Sequence, residues 1–145
     1  SNDEIVSIIA HEVGHYKKNH ILINTIISII SIGLMFYILG FFINNNYLFE
    51  AFKMKNVSDY GGILFFSILY SPINLFLGIL MNAYSRKNEF EADAFARETY
   101  SGEPLASALK TLTAENLGNL KPHPWYVFVH YSHPPVLKRL ERLIR

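Results

Sequence analysis

Residues 21–43 read ILINTIISIISIGLMFYILGFFI, a run in which no side chain carries a charge. As a helix rising 1.5 Å per residue, such a run crosses a hydrocarbon core of about 30 Å. A buried helix of a soluble protein is the alternative, but a run of this length with no polar face is much more often membrane-spanning. Its internal position and the lack of a cleavage-type flank exclude a signal peptide. Asn44-Asn45-Asn46 closes it, and a polar-aromatic connection with Glu50, Lys53, Lys55 and Asp59 follows. A second charge-free run extends from Gly61 to Ala83, with Pro72 and Asn74 in its middle. Proline removes a backbone donor and kinks a helix, and an asparagine in lipid needs a partner. The second helix is therefore expected to face protein or a watery cavity, not lipid all round. The fold class that follows is all-α, an integral-membrane helical bundle with two transmembrane helices.

Ahead of the first run stands His11-Glu12-Val13-Gly14-His15. Two histidines four apart share one helical face, so both imidazoles can reach a single ion. Glu12 is placed to hold and deprotonate a water at that ion. The pattern H-E-x-x-H on a helix is that of zinc peptidases. Asn2-Asp3-Glu4 suit a helix N-terminus, and Ile5, Ile8 and Ile9 supply the spacing of a packed stripe. Gly14 costs helix stability relative to alanine, so a close neighbour or a substrate is expected against it. His20 lies five residues past His15, off the ligand face, and reads as a surface histidine or one supporting the ligands from behind.

Composition narrows the chemistry. The 145 residues carry a formal net charge of +1, no argument for nucleic acid or an acidic partner. With no cysteine, a zinc site must use histidine and carboxylate ligands. Ser1 is not an initiating methionine, and the motif helix opens almost at once, so the chain reads as a piece whose N-terminal part is absent. The expected layout is a zinc helix at 1–20, membrane helices at 21–43 and 61–83 joined by a connection at 44–60, and a helical catalytic region at 84–145.

Two consecutive spans return the chain to the side of the membrane where it began. There it reaches Ser85-Arg86-Lys87-Asn88-Glu89-Phe90-Glu91-Ala92-Asp93-Ala94-Phe95-Ala96, a helix-compatible run rich in carboxylates. Glu89 and Asp93 share a face, and Glu91 points roughly opposite. One of the pair can be a third ligand and the other can orient a histidine through its far N–H. Periodicity does not say which. Lys17, Lys18, Arg86 and Lys87 cluster on this side against Lys53 and Lys55 on the other, so the metal side is expected to be cytoplasmic.

These motifs resemble the C-terminal half of the type I CaaX prenyl protease family, integral-membrane zinc metallopeptidases. The likeness rests on Ala10-His11-Glu12-Val13-Gly14-His15-Tyr16-Lys17, Tyr70-Ser71-Pro72, the 85–96 run, Asn116-Leu117 and His130-Tyr131-Ser132-His133-Pro134-Pro135. It implies that Glu89 is the third ligand of one zinc ion and that Asp93 supports the ligands. It implies that His133 meets the substrate carbonyl as an oxyanion donor, and that Asn116 and Arg139 stand near the site. It implies a prenylated CaaX protein or peptide as substrate, losing its last three residues beside a lipid bilayer, which in a eukaryote is the endoplasmic reticulum membrane. Tyr16 stands where that family often has Trp. A membrane zinc protease of the quality-control type and a non-catalytic membrane scaffold are the alternatives.

The remaining helices read as packing. Pro104 is expected at the first position of a helix whose face is Leu105, Ala108, Leu109 and Leu112, with Gly118 as its stop. Residues 121–125 read as a loop, and His123 and His130 receive no role. The last helix is expected to bury Val136, Leu137, Leu140 and Ile144.

Overall fold

In the computed structural model, residues 1–43 and 45–145 are described; Asn44, expected to close the first apolar run, lies outside them. The described residues form seven helices and no strand, so the chain is all-α. They divide into two compact units, Ser1–Ile21 with Gly78–Arg145, and Leu22–Leu77.

The second unit holds most of α2 (His20–Ile43), the short α3 (Asn46–Ala51) and the first part of α4 (Asp59–Thr99). Asn45 caps α3, its side chain accepting from the Leu48 N–H at 3.2 Å. Aromatic pairs organise this unit. Phe49 is buried and meets Phe65 edge-on, Phe52 stacks on the same ring at 3.9 Å, and Phe42 meets Phe66 edge-on. Both α2 and α4 are long and apolar enough to cross a membrane. Helix α4 continues through Pro72, whose ring leaves the Ile68 carbonyl without its usual donor. The Ser71 hydroxyl takes that place, donating to Ile68 O at 2.9 Å.

The first unit gathers α1 (Asn2–Lys17), the end of α4, α5 (Gly102–Glu115), α6 (Pro124–His130) and α7 (Val136–Ile144). The Ser1 side chain caps α1 by accepting from Glu4 N, with Asp3 and Glu4 in the first turn as the dipole favours. The core is Ala96, Leu105, Ala106 and Leu143, with Ala10, Leu109 and Leu140 packed round it. Small residues let the elements approach closely. A Cβ built on Gly102 would fall 2.1 Å from Leu143 O, so only glycine fits where α5 opens against α7.

Several expectations are corrected here. The residues of α1 that are buried are Ser7, His11 and Gly14, whereas Ile5 and Ile9 are more than half exposed. The helix turns its small and polar face inward because that face carries the histidines. On α7 the inner residues are Arg139 and Leu143, flanked by Val136 and Leu140, while Leu137 and Ile144 are exposed. Helix α5 opens two residues before Pro104, with Ser101 as N-cap, because no residue of a first turn needs its N–H for the helix. It ends at Glu115 in a Schellman closure: Leu117 adopts φ 50°, its N–H reaches Ala114 O, and Gly118 N–H reaches Thr113 O. The expected loop at 121–125 ends early, since Pro124 starts α6.

Candidate metal centre

Helix α1 presents His11 and His15 to the face of α4 that carries Glu89. The approach depends on Gly14, where a Cβ would sit 3.1 Å from Ala92 Cα and 3.2 Å from Ala92 O. The close neighbour expected at this glycine is thus the backbone of α4. Facing each other across the contact are His11 Nε2 and His15 Nε2, 3.2 Å apart. Glu89 Oε1 is 3.5 Å from His15 Nε2, and Oε2 is 3.8 Å from His11 Nε2. Two N and one O donor at about 2.0–2.1 Å from a tetrahedral zinc would stand about 3.4 Å from one another. The separations, which run to the two oxygens of Glu89, are near that requirement, and one ligand atom from each residue lies within 4.8 Å of the others. These residues form the one group of metal-binding type among the described residues. With both Nε2 atoms bare, as metal ligation requires, lone pairs at 3.2 Å repel unless a cation lies between them.

Behind the three donors is a second layer of charge. Asp93 Oδ1 lies 3.0 Å from His11 Nδ1, close but off the N–H axis, so Nδ1 has no aligned hydrogen bond. Arg139 donates from Nε to Asp93 Oδ2 at 2.8 Å and from Nη2 to Oδ1 at 2.7 Å. Its Nη1 stands 3.0 Å from Glu89 Oε2. Burial opposes ionisation of Asp93 more than any single neighbour promotes it, but His11 and Arg139 together prevail and hold its carboxyl below the ordinary range. Burial likewise opposes Glu89, and His133 and Arg139 together bring it below the ordinary range. Burial, and then His11, lower the His15 imidazolium, favouring the neutral ring that a metal binds.

His133 precedes α7 by a short proline step, with Pro135 as its N-cap. Its Nδ1 lies 3.2 Å from Glu89 Oε1, and that carboxylate raises the histidine above its ordinary range against the effect of burial. The step is held from α4. Asn82 donates to Val129 O at 2.8 Å, and Arg86 donates to Val127 O and Tyr131 O. A cavity of about 440 Å³ opens here, lined by His11, Glu12, His15, Glu89, His133 and Arg139. Ile8, Ile21, Leu105, Leu109 and Leu112 form its apolar wall. A larger cavity, about 610 Å³ between α5 and α7, has a single titratable lining residue, Lys110.

Of the residues singled out in the sequence, His11, Glu12, His15, Glu89, Asp93, His133 and Arg139 lie together. Asn116 does not join them. It is the C-cap of α5, and its amide donates to Leu112 O at 2.8 Å. Of the two readings open for His20, the structure takes the one that stands behind the ligands. His20 is buried, its Nδ1 3.0 Å from His15 Nδ1 and its Nε2 3.1 Å from Glu91 Oε2. His130 packs its ring against Tyr126 and lines no part of the cavity.

Comparison with known proteins adds the following. The profile of peptidase family M48 matches residues 1–145. The chain is 39% identical over 147 residues to a CAAX prenyl protease 1 homolog of Oryza sativa subsp. japonica, covering 99% of this chain and 34% of that one. It is 36% identical over 144 residues to the Homo sapiens homolog, covering 98% and 30%. The crystal structure of S. mikatae Ste24p superposes with a TM-score of 0.83 at 32% identity, covering 99% of this chain and 36% of that one. The chain thus spans about a third of the length of the relatives it matches.

Proposed function

Because the chain belongs to peptidase family M48, we propose that it is the metal-binding part of a membrane-embedded zinc endopeptidase. Its substrate is a prenylated CaaX protein or peptide, from which the whole protein removes the C-terminal three residues. The observation that carries the reading is the convergence of His11 Nε2, His15 Nε2 and Glu89 at separations of 3.2, 3.5 and 3.8 Å.

These three residues would hold one zinc ion, which when bound supplies Lewis acidity toward water and a carbonyl oxygen. Glu12, on the cavity wall, takes a proton from the attacking water onto its carboxylate and returns it to the leaving amine. His133 has Nδ1 turned to Glu89, so Nε2–H is the donor left to meet the carbonyl oxygen as negative charge grows there. Asp93 and Arg139 hold the ligands: Asp93 sets His11, and Arg139 binds Asp93 and Glu89 at once. Two apolar helices, α2 and α4, support the reading of a multi-pass membrane protein, in which a lipidated tail is already at the bilayer. In a eukaryote that membrane is the endoplasmic reticulum, with the metal side cytoplasmic. The names of the relatives, CAAX prenyl protease 1 homologs, support this substrate over other peptides.

The test gives the full-length protein and its Glu12→Gln variant a farnesylated CaaX peptide. The wild type is expected to release the tripeptide, and the variant to bind zinc without releasing it. Equal cleavage by both sinks the mechanism, and zinc-bound wild type inert toward every prenylated peptide sinks the substrate.

A further inference from the structure

We propose that His20 and Glu91 position His15 for the metal, as a chain of hydrogen bonds that fixes which nitrogen of the His15 ring faces the ion. The proposal deepens the metal reading above and rests on it.

Five residues along a straight helix would turn His20 about 140° away from His15. The chain is not straight there. Helix α1 ends at Lys17, and Asn19 adopts φ 56°, the left-handed conformation that asparagine tolerates better than most residues. That single residue breaks the helical path between α1 and α2, and His20, the first residue of α2, stands against His15. The two rings meet edge to face, with centroids 5.1 Å apart. His20 is 3% exposed, so each of its nitrogens needs a protein partner.

The protons can be assigned from the partners. A carboxylate only accepts, so His20 Nε2, 3.1 Å from Glu91 Oε2, carries a hydrogen. In the neutral ring its Nδ1 is then bare and accepts. The contact between His20 Nδ1 and His15 Nδ1, 3.0 Å, needs one proton, which must sit on His15. His15 is left with its lone pair on Nε2, the nitrogen that faces His11 Nε2 and Glu89 Oε1. The other histidine of the motif has a carboxylate directly beside it, with Asp93 Oδ1 3.0 Å from Nδ1. Thus each of the two has a carboxylate behind it, near for His11 and one imidazole removed for His15. Such partners set ring orientation and raise ligand basicity, and their loss typically costs 10–100-fold in metal affinity. A plain surface role for Glu91 would need only its pair with Lys87 Nζ at 3.5 Å, and would leave His20 unexplained.

The experiment measures zinc dissociation constants by chelator competition on the full-length protein, with the cobalt form providing a ligand-field spectrum. His20→Phe keeps the ring volume and deletes both nitrogens; Glu91→Ala removes the end of the chain at a partly exposed position. Each is expected to weaken zinc about 10–100-fold and to shift the cobalt bands, with the melting temperature of the zinc-free protein unchanged. The double variant should be no weaker than His20→Phe alone, and Glu91→Gln, which keeps an acceptor, should recover part of the loss. Zinc affinity within about twofold of wild type in the Glu91 series overturns the proposal, and that series decides even if His20→Phe does not fold. A wild type that binds no zinc overturns the metal reading as well. One zinc bound by the wild type, lost in His11→Ala but unaltered in Glu91→Ala, overturns only the present proposal.

Discussion

Arg139 of α7, expected near the site, grips Asp93 with two parallel hydrogen bonds, 2.8 and 2.7 Å. Its third nitrogen stands 3.0 Å from Glu89, so one guanidinium serves two buried carboxylates. The planar fork of arginine matches this geometry and the point charge of lysine does not.

Arg139→Met should therefore strand two carboxylates away from any other cation of α7. Removing one partner of a buried pair costs about 3–5 kcal/mol. A large fall in thermal stability in detergent is expected, with Arg139→Lys intermediate. Wild-type stability in Arg139→Met would show that the pair contributes nothing net.

Gly14→Ala tests the approach of α1 to α4. In an unconstrained helix interior the change stabilises by about 1 kcal/mol. Here the new Cβ meets backbone atoms of Ala92 at 3.1 and 3.2 Å, and Phe95 Cβ at 3.2 Å. Backbone in mid-helix has little freedom to move aside, so the sign should reverse: the melting temperature falls and zinc binding weakens. A more stable variant with unchanged zinc affinity would show that the helices can part without loss.

His133→Ala separates two roles for this histidine. As an oxyanion donor its loss should reduce kcat by about 100–1000-fold while KM and zinc content stay near wild type. If it acts only by holding Glu89, zinc affinity falls instead and the metal-saturated enzyme keeps its kcat.

Arg86→Met addresses the backbone that carries His133. Each charged hydrogen bond to a carbonyl is worth about 1.5–3 kcal/mol, and Arg86 makes two, to Val127 O and Tyr131 O. Faster amide exchange over 127–133 is expected, together with a drop in kcat and unchanged zinc content. Wild-type exchange across that segment would exclude Arg86 as its anchor.

Much of the site was legible because local spacing dictates it. Residues four apart on a helix share a face, so His11 with His15, and Glu89 with Asp93, could be paired from the chain alone. Which helix faces turn inward was not legible in the same way. An apolar count favoured Ile5, Ile8 and Ile9 on α1, and Leu137 and Ile144 on α7. The buried faces instead carry Ser7, His11 and Gly14, and Arg139 with Leu143. Charge and close approach outweighed hydrophobic pattern there, because buried carboxylates demanded a cation and two backbones had to meet at Gly14.

The sequence by itself determined an all-helical chain with two apolar helices, and the set of histidines and carboxylates available to a metal. Those follow from composition and from the 3.6-residue period. Only the tertiary structure decided that Glu91 and His20 stand behind His15, and that Arg139 joins Asp93 to Glu89. Glu91 is 71 residues from His20, and Arg139 is 46 from Asp93. No local period relates residues so distant. The left-handed turn at Asn19 and the docking of α7 on α4 bring them together.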